Sequence, residues 1–131
     1  MKKDVYVVAG AIVKDKKVFA AQRGARGVTA FMWEFPGGKI EPNETPEHAL
    51  ERELFEELKI KVKAHELITS IVDEHDISIL HIDTYRCELI SGEPTLTEHL
   101  DMAWLDKDSI ETKRFSPADR PTLDKIKKDY L

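Results

Sequence analysis

Between Pro46 and Leu58 leucine recurs every four residues, at Leu50, Leu54 and Leu58, with Phe55 alongside. Residues four apart share one face of an α-helix, so the spacing predicts a helix with a buried leucine stripe. Thr45 suits its cap and Pro46 its first position. The same segment places Glu53, Glu56 and Glu57 on an arc of about 100° beside the leucines. Like charges three or four residues apart repel by a few tenths of a kcal/mol per pair, roughly. In the second half of a helix the macrodipole also disfavours anions. Local physics therefore opposes this arrangement, and a divalent cation reverses the sign. Carboxylate oxygens suit Mg²⁺ or Mn²⁺, which keep some water and take phosphate oxygens as further ligands. On the charge pattern alone a solvated acidic face, shared with Glu47 and Glu51, is the plain alternative.

The residues before the helix favour the metal. Gly37 and Gly38 let backbone approach a ligand and free carbonyls for coordination. Glu44 and Arg52 stand eight residues apart, and Arg52 falls beside Glu56, where a fixed cation orients carboxylates.

The remaining pattern is that of a mixed sheet. Residues 5–13 and 18–23 read as a hairpin around "KDKK", 24–32 as a loop, and 33–35 as a short aromatic strand ended by Pro36, Gly37 and Gly38. Extended segments follow at about 61–75 and 77–90, where Ile77, Ile79, Ile82 and Tyr85 suggest partial burial. "SGEP" (91–94) is a turn, 102–105 a short strand, and "DKDSIE" a helical turn. From Pro121 to Tyr130, Leu123, Ile126 and Tyr130 share a helical face. The expected class is α+β, one domain over residues 1–131.

Composition bounds the partners. The formal net charge is −5 with 34% charged residues of both signs, so there is no basic footprint for a nucleic-acid polymer or an anionic membrane. No stretch approaches the length of a membrane span, and the short apolar run after Lys2 and Lys3 is a poor leader peptide. Cys87 is the single cysteine and reads as a core residue, which fits a reducing cytoplasm. The five histidines, His48, His65, His75, His81 and His99, show no zinc spacing.

Gly38, Glu44, Arg52-Glu53-Leu54, Glu56-Glu57 and Ile60, at these spacings, resemble the Nudix box. Lys59 departs from it, since the family usually has glycine there to ease the helix exit. "WEFPGGKIE", the opening hairpin, the length and "SPAD" extend the likeness to MutT-like nucleoside triphosphate pyrophosphohydrolases. The resemblance implies an α/β/α sandwich with a catalytic loop-helix-loop. It implies attack of water on a nucleoside triphosphate, giving a monophosphate and pyrophosphate, by a monomer or homodimer. It implies metal ligation by the Gly37 carbonyl, Glu53, Glu56 and Glu57, with Glu44 and Arg52 supporting them. Bound Mg²⁺ or Mn²⁺ would lower the pKa of the attacking water. Glu53 and Glu98 are the two candidates to accept its proton, and both stay open.

Three further residues are candidates for holding the substrate. Arg23 matches a family position that meets the nucleotide, or is a surface arginine ending a strand. Phe35, with Trp33, is either a wall under the base or a core aromatic. Asp119 either caps the last helix or selects the base. Near a helix N-terminus it should stay ionised and only accept, and cytosine offers its N4 amino group to such an acceptor. The expected substrates are CTP or dCTP, including modified pyrimidines, with 8-oxo-dGTP as the alternative. Hydrolysis of another nucleoside diphosphate derivative, or nucleotide binding without catalysis, are the remaining readings.

Overall fold

The computed structural model describes residues 1–131. Strand β1 (Lys3–Lys14) turns into β2 (Lys17–Gln22) through Asp15 and Lys16, both left-handed (φ 52° and 59°). Two such residues make the tight turn whose twist matches a hairpin. β3 (Trp33–Glu34) pairs with β2. β4 (Gly37–Lys39) pairs antiparallel with the first half of β1. β5 (Lys61–Glu74) and β6 (Ser78–Ser91) form a long hairpin, and β6 runs parallel to β1 from Lys3↔Ser78 to Ile12↔Cys87. β7 (Asp101–Leu105) returns beside β2. The sheet is mixed, in the order β3-β2-β1-β6-β5, with β1 at its centre.

Strand alternation divides the core in two. Val8, Ile12, Phe19 and Ala21 face helix α1 (Pro46–Leu58) and its stripe of Leu50, Leu54 and Leu58. Ala9, Ala11, Val18 and Ala20, the alternate positions, face Leu123 and Ile126 of helix α2 (Arg120–Tyr130). Period two in β1 and β2 meets the helical period on each side, which gives the expected α/β/α layering. Cys87 lies fully buried under α1, where loss of solvent pushes its thiol up to about 12. No helix is long and apolar enough to cross a membrane.

Some expectations need correction. Phe55 does not join the leucine stripe but is 57% exposed. One step of about 100° from Leu54 carries it off the buried face. Ile77 is exposed in the β5–β6 turn, whereas the helical turn expected in "DKDSIE" is present, as a 3₁₀ turn at Ser109–Thr112. The aromatic strand ends before Pro36 as expected, and Gly37 and Gly38, read only as its end, also begin a further strand, β4. A Cβ at Gly37 would stand 1.9 Å from the Val8 carbonyl oxygen, so glycine is what lets β4 lie against β1.

Lys59 keeps the left-handed exit (φ 60°, ψ 33°), with its N–H donating to the Phe55 carbonyl at 3.1 Å. A side chain makes this conformation costly, by about 1–2 kcal/mol. The greater freedom of an unfolded glycine offsets part of the gain. Lys59→Gly should therefore raise unfolding stability by about 1 kcal/mol in urea titrations. A variant no more stable than the parent would contradict this account of the helix exit.

Candidate active site

A cleft of about 1150 Å³ opens beside β3 and β4. Residues 23–29, Gly37, Gly38, Glu57, Glu98, His99 and the Ser116–Asp119 turn border it, and Asp73 and His75 close it from the β5–β6 hairpin. The size suits a nucleotide-scale ligand.

The carboxylate helix is organised around Arg52. Its Nε and Nη2 donate to Glu44 Oε2 and Oε1 at 2.8 and 2.9 Å, a fork-to-fork pair. Nη2 also donates to the Lys39 carbonyl at 3.2 Å. Nη1 reaches Glu53 Oε1 at 3.1 Å and Glu56 Oε2 at 3.5 Å. The Arg52 guanidinium holds the Glu44 carboxyl down to about 2. Glu44 and Arg52 therefore brace the loop, β4 and α1 at one point.

The three helix glutamates have different settings. The Glu53 carboxylate lies over Gly38, where a Cβ would stand 2.4 Å from its carboxyl carbon. Glu56 is 61% exposed and meets only Arg52. Glu57 borders the cleft, and its Oε2 is buried with no hydrogen-bond partner. Burial, then the Glu53 charge, pushes the Glu57 carboxyl up to about 7. The acidic side chains do not converge into a preformed cage, consistent with their mutual repulsion. Buried oxygen lacking a donor, beside a second carboxylate and a glycine-lined backbone, is a donor set that a hard divalent cation satisfies.

The substrate candidates take up distinct positions. Arg23 borders the cleft and donates from Nη1 to Glu34 Oε1 at 3.1 Å. Phe35 is a core residue packed on Phe115 at 5.2 Å between ring centroids, and it also borders the cleft. Trp33 is likewise core, with the Lys113 ammonium 4.7 Å from its ring centre. Asp119 also borders the cleft, but its side chain makes no capping bond to α2. Burial, then the charges of Glu34 and Asp73, pushes its carboxyl up to about 6. The expectation that a helix N-terminus keeps it fully ionised is corrected accordingly: desolvation outweighs the dipole. Glu98 lies in the cleft wall, exposed.

Two residues of the cleft went unnoticed in the sequence. Glu34 accepts from Arg23 through one oxygen and meets His99 Nε2 at 2.9 Å through the other. The His99 side chain is only 7% exposed, and the bond to Glu34 raises its pKa. No local spacing reveals this pair, because 65 residues separate its members.

The NUDIX domain family model matches residues 5–126. The chain is 36% identical over 122 residues to the CTP pyrophosphohydrolase of Escherichia coli (strain K12), covering 93% of this chain and 90% of that protein. It is 30% identical over 128 residues to the 8-oxo-dGTP diphosphatase of Haemophilus influenzae, covering 96% and 94%. Among solved structures it superposes on MutT, a Nudix hydrolase of methicillin-resistant Staphylococcus aureus 252, with a TM-score of 0.82 at 40% identity, covering 98% and 99% of the two chains. The chain belongs to the Nudix family. It is a nucleotide pyrophosphohydrolase, in a family whose members generally need a divalent metal.

The setting of Glu57 gives a pH test. Its folded-state pKa lies above the unfolded value, so its contribution favours folding below about pH 4.5 and is lost as pH rises through 7. Glutamine keeps the shape without the charge. In metal-free buffer Glu57→Gln should be nearly neutral near pH 4.5 and stabilising at pH 8 by about 1–2 kcal/mol, a value discounted for partial solvent contact. Thermal unfolding at the two pH values measures this, and an equal effect at both would show that Glu57 carries no strained charge.

Proposed function

We propose that this Nudix hydrolase is a Mg²⁺-dependent pyrophosphohydrolase of nucleoside triphosphates that prefers CTP or dCTP. Asp119 carries the substrate assignment: a carboxylate in the cleft wall, with no hydrogen-bond partner, waiting for a donor. Above pH 6 it accepts from the N4 amino group of cytosine and repels the O4 oxygen of uracil. The likeness to the Escherichia coli CTP pyrophosphohydrolase supports the same assignment.

Mg²⁺ would be held by Glu53, Glu56, Glu57 and the Gly37 carbonyl, where it supplies charge neutralisation and an acidified water. Arg52, anchored on Glu44, keeps Glu53 and Glu56 oriented without entering the ligand set. Arg23 donates to the nucleotide from a position fixed by Glu34. The edge of Phe35 that borders the cleft supports the base from below. Glu98, without a hydrogen bond of its own, takes the proton of the attacking water, and Glu53 serves chiefly the metal.

Glu56 is exposed, so Glu56→Gln should leave folding stability within about 0.5 kcal/mol. It should lower kcat by roughly two orders of magnitude at saturating Mg²⁺. Near-normal turnover by that variant would remove the helix from metal binding.

The base assignment is tested by kcat/KM for CTP, dCTP, UTP and 8-oxo-dGTP. Wild type should favour CTP over UTP by roughly tenfold or more at pH 8, the scale of one charge-assisted hydrogen bond. That preference should fade as pH falls through 6, when Asp119 gains a proton, and Asp119→Asn should abolish it at every pH. A tenfold preference of wild type for 8-oxo-dGTP, roughly 1.4 kcal/mol, would instead assign the chain to the activity named for its Haemophilus influenzae relative.

A further inference from the structure

Glu98 makes no hydrogen bond, yet the residues on both sides of it are fastened. Thr97 Oγ1 donates to the Glu57 carbonyl at 2.6 Å, and the Thr95 N–H donates to the Leu58 carbonyl at 2.9 Å. These are among the carbonyls that the last turn of α1 leaves without helical partners, so the segment between β6 and β7 completes the carboxylate helix. On the other side, His99 Nε2 meets Glu34 Oε2 at 2.9 Å, and Glu34 in turn holds Arg23. The Leu100 N–H donates to the Gln22 carbonyl at 3.0 Å.

The His99 imidazole is almost wholly buried, and its Nδ1 has no partner although the residue borders the cleft. A buried polar atom left unpaired is costly. The bond to Glu34 is the single polar contact that holds this ring. One neighbour of Glu98 is thus tied to the helix of Glu53, Glu56 and Glu57, and the other to the strand pair that carries Arg23.

We propose that Thr97 and His99 are positioning residues that set Glu98 between the metal-binding helix and the substrate arginine. The inference rests on the reading of Glu98 as the proton acceptor. Neither residue touches the reacting atoms; each acts through the placement of Glu98. A displacement of about 1 Å at such a group can cost about a hundredfold in rate.

The test is a set of mutant cycles on the full chain, with CTP and Mg²⁺. Glu98→Gln is measured first and should lower kcat with little change in KM. Thr97→Val and His99→Leu should each lower kcat by roughly tenfold or more, with KM within about twofold. In the Glu98→Gln background the same substitutions should have no further effect. His99→Gln, which keeps a donor to Glu34, should recover most of the rate lost in His99→Leu.

Full activity in Glu98→Gln would remove Glu98 from the mechanism and the inference with it. A slow Glu98→Gln in which Thr97→Val and His99→Leu still cost their full factor would leave the base in place and overturn the positioning roles. If His99→Leu fails to fold, Thr97→Val and His99→Gln carry the same cycle.

Discussion

The Arg52 guanidinium joins three parts of the chain at one point, and His48 of the same helix adds a second contact to Glu44 at 2.8 Å. The guanidinium binds Glu44 in the loop before α1, the Lys39 carbonyl at the end of β4, and Glu53 on its own helix. With 19% of its side chain exposed against 7% for Glu44, the pair is shielded enough for its geometry to count. One partner without the other would leave a charge with poor solvation. The orientation of the acidic helix relative to the glycines depends on this fork.

The glycines make the complementary contribution. Gly37 brings β4 against β1, and Gly38 leaves room for the Glu53 carboxylate. A side chain at Gly37 collides with the β1 backbone and would push β4 away, whereas one at Gly38 would displace the Glu53 carboxylate from its place over the strand. A covalent absence here decides a distance, just as Arg52 decides an angle. Burial of the leucine stripe against β1, β5 and β6 supplies the general adhesion, while these polar and steric contacts choose the register.

Across the cleft a second polar chain runs from Arg23 through Glu34 to His99. It inverts the first, with one carboxylate shared by Arg23 and His99 where Arg52 was one donor shared by several oxygens, and it joins the residue after β2, β3 and the segment before β7. The cleft thus lies between two braced walls. Glu57, Glu98 and Asp119 face it with carboxylates that the protein does not pair. Unpaired acceptors in a partly dry cleft are what a cation and a base with amino donors would complete.

Much of this was legible from residues close in sequence. The helix over 46–58 with its Thr45 cap, the opening hairpin, the two long strands and the Nudix spacing from Gly38 to Ile60 all follow from short-range periodicity and local motifs. So does the place of Arg52 beside Glu56, four residues on. Sequence alone left three things undecided. It set Phe55 alongside the buried stripe and read Gly37–Gly38 only as the end of a strand, because neither propensity nor period says which strand will lie alongside. It missed Glu34 and His99, since a bond over 65 positions leaves no local pattern. It kept Asp119 charged by its place before a helix, whereas the pKa depends on the solvent that the folded cleft excludes. Periodic burial and covalent spacing belong to the chain itself; desolvation and long-range hydrogen bonds exist only once the tertiary structure has brought their partners together.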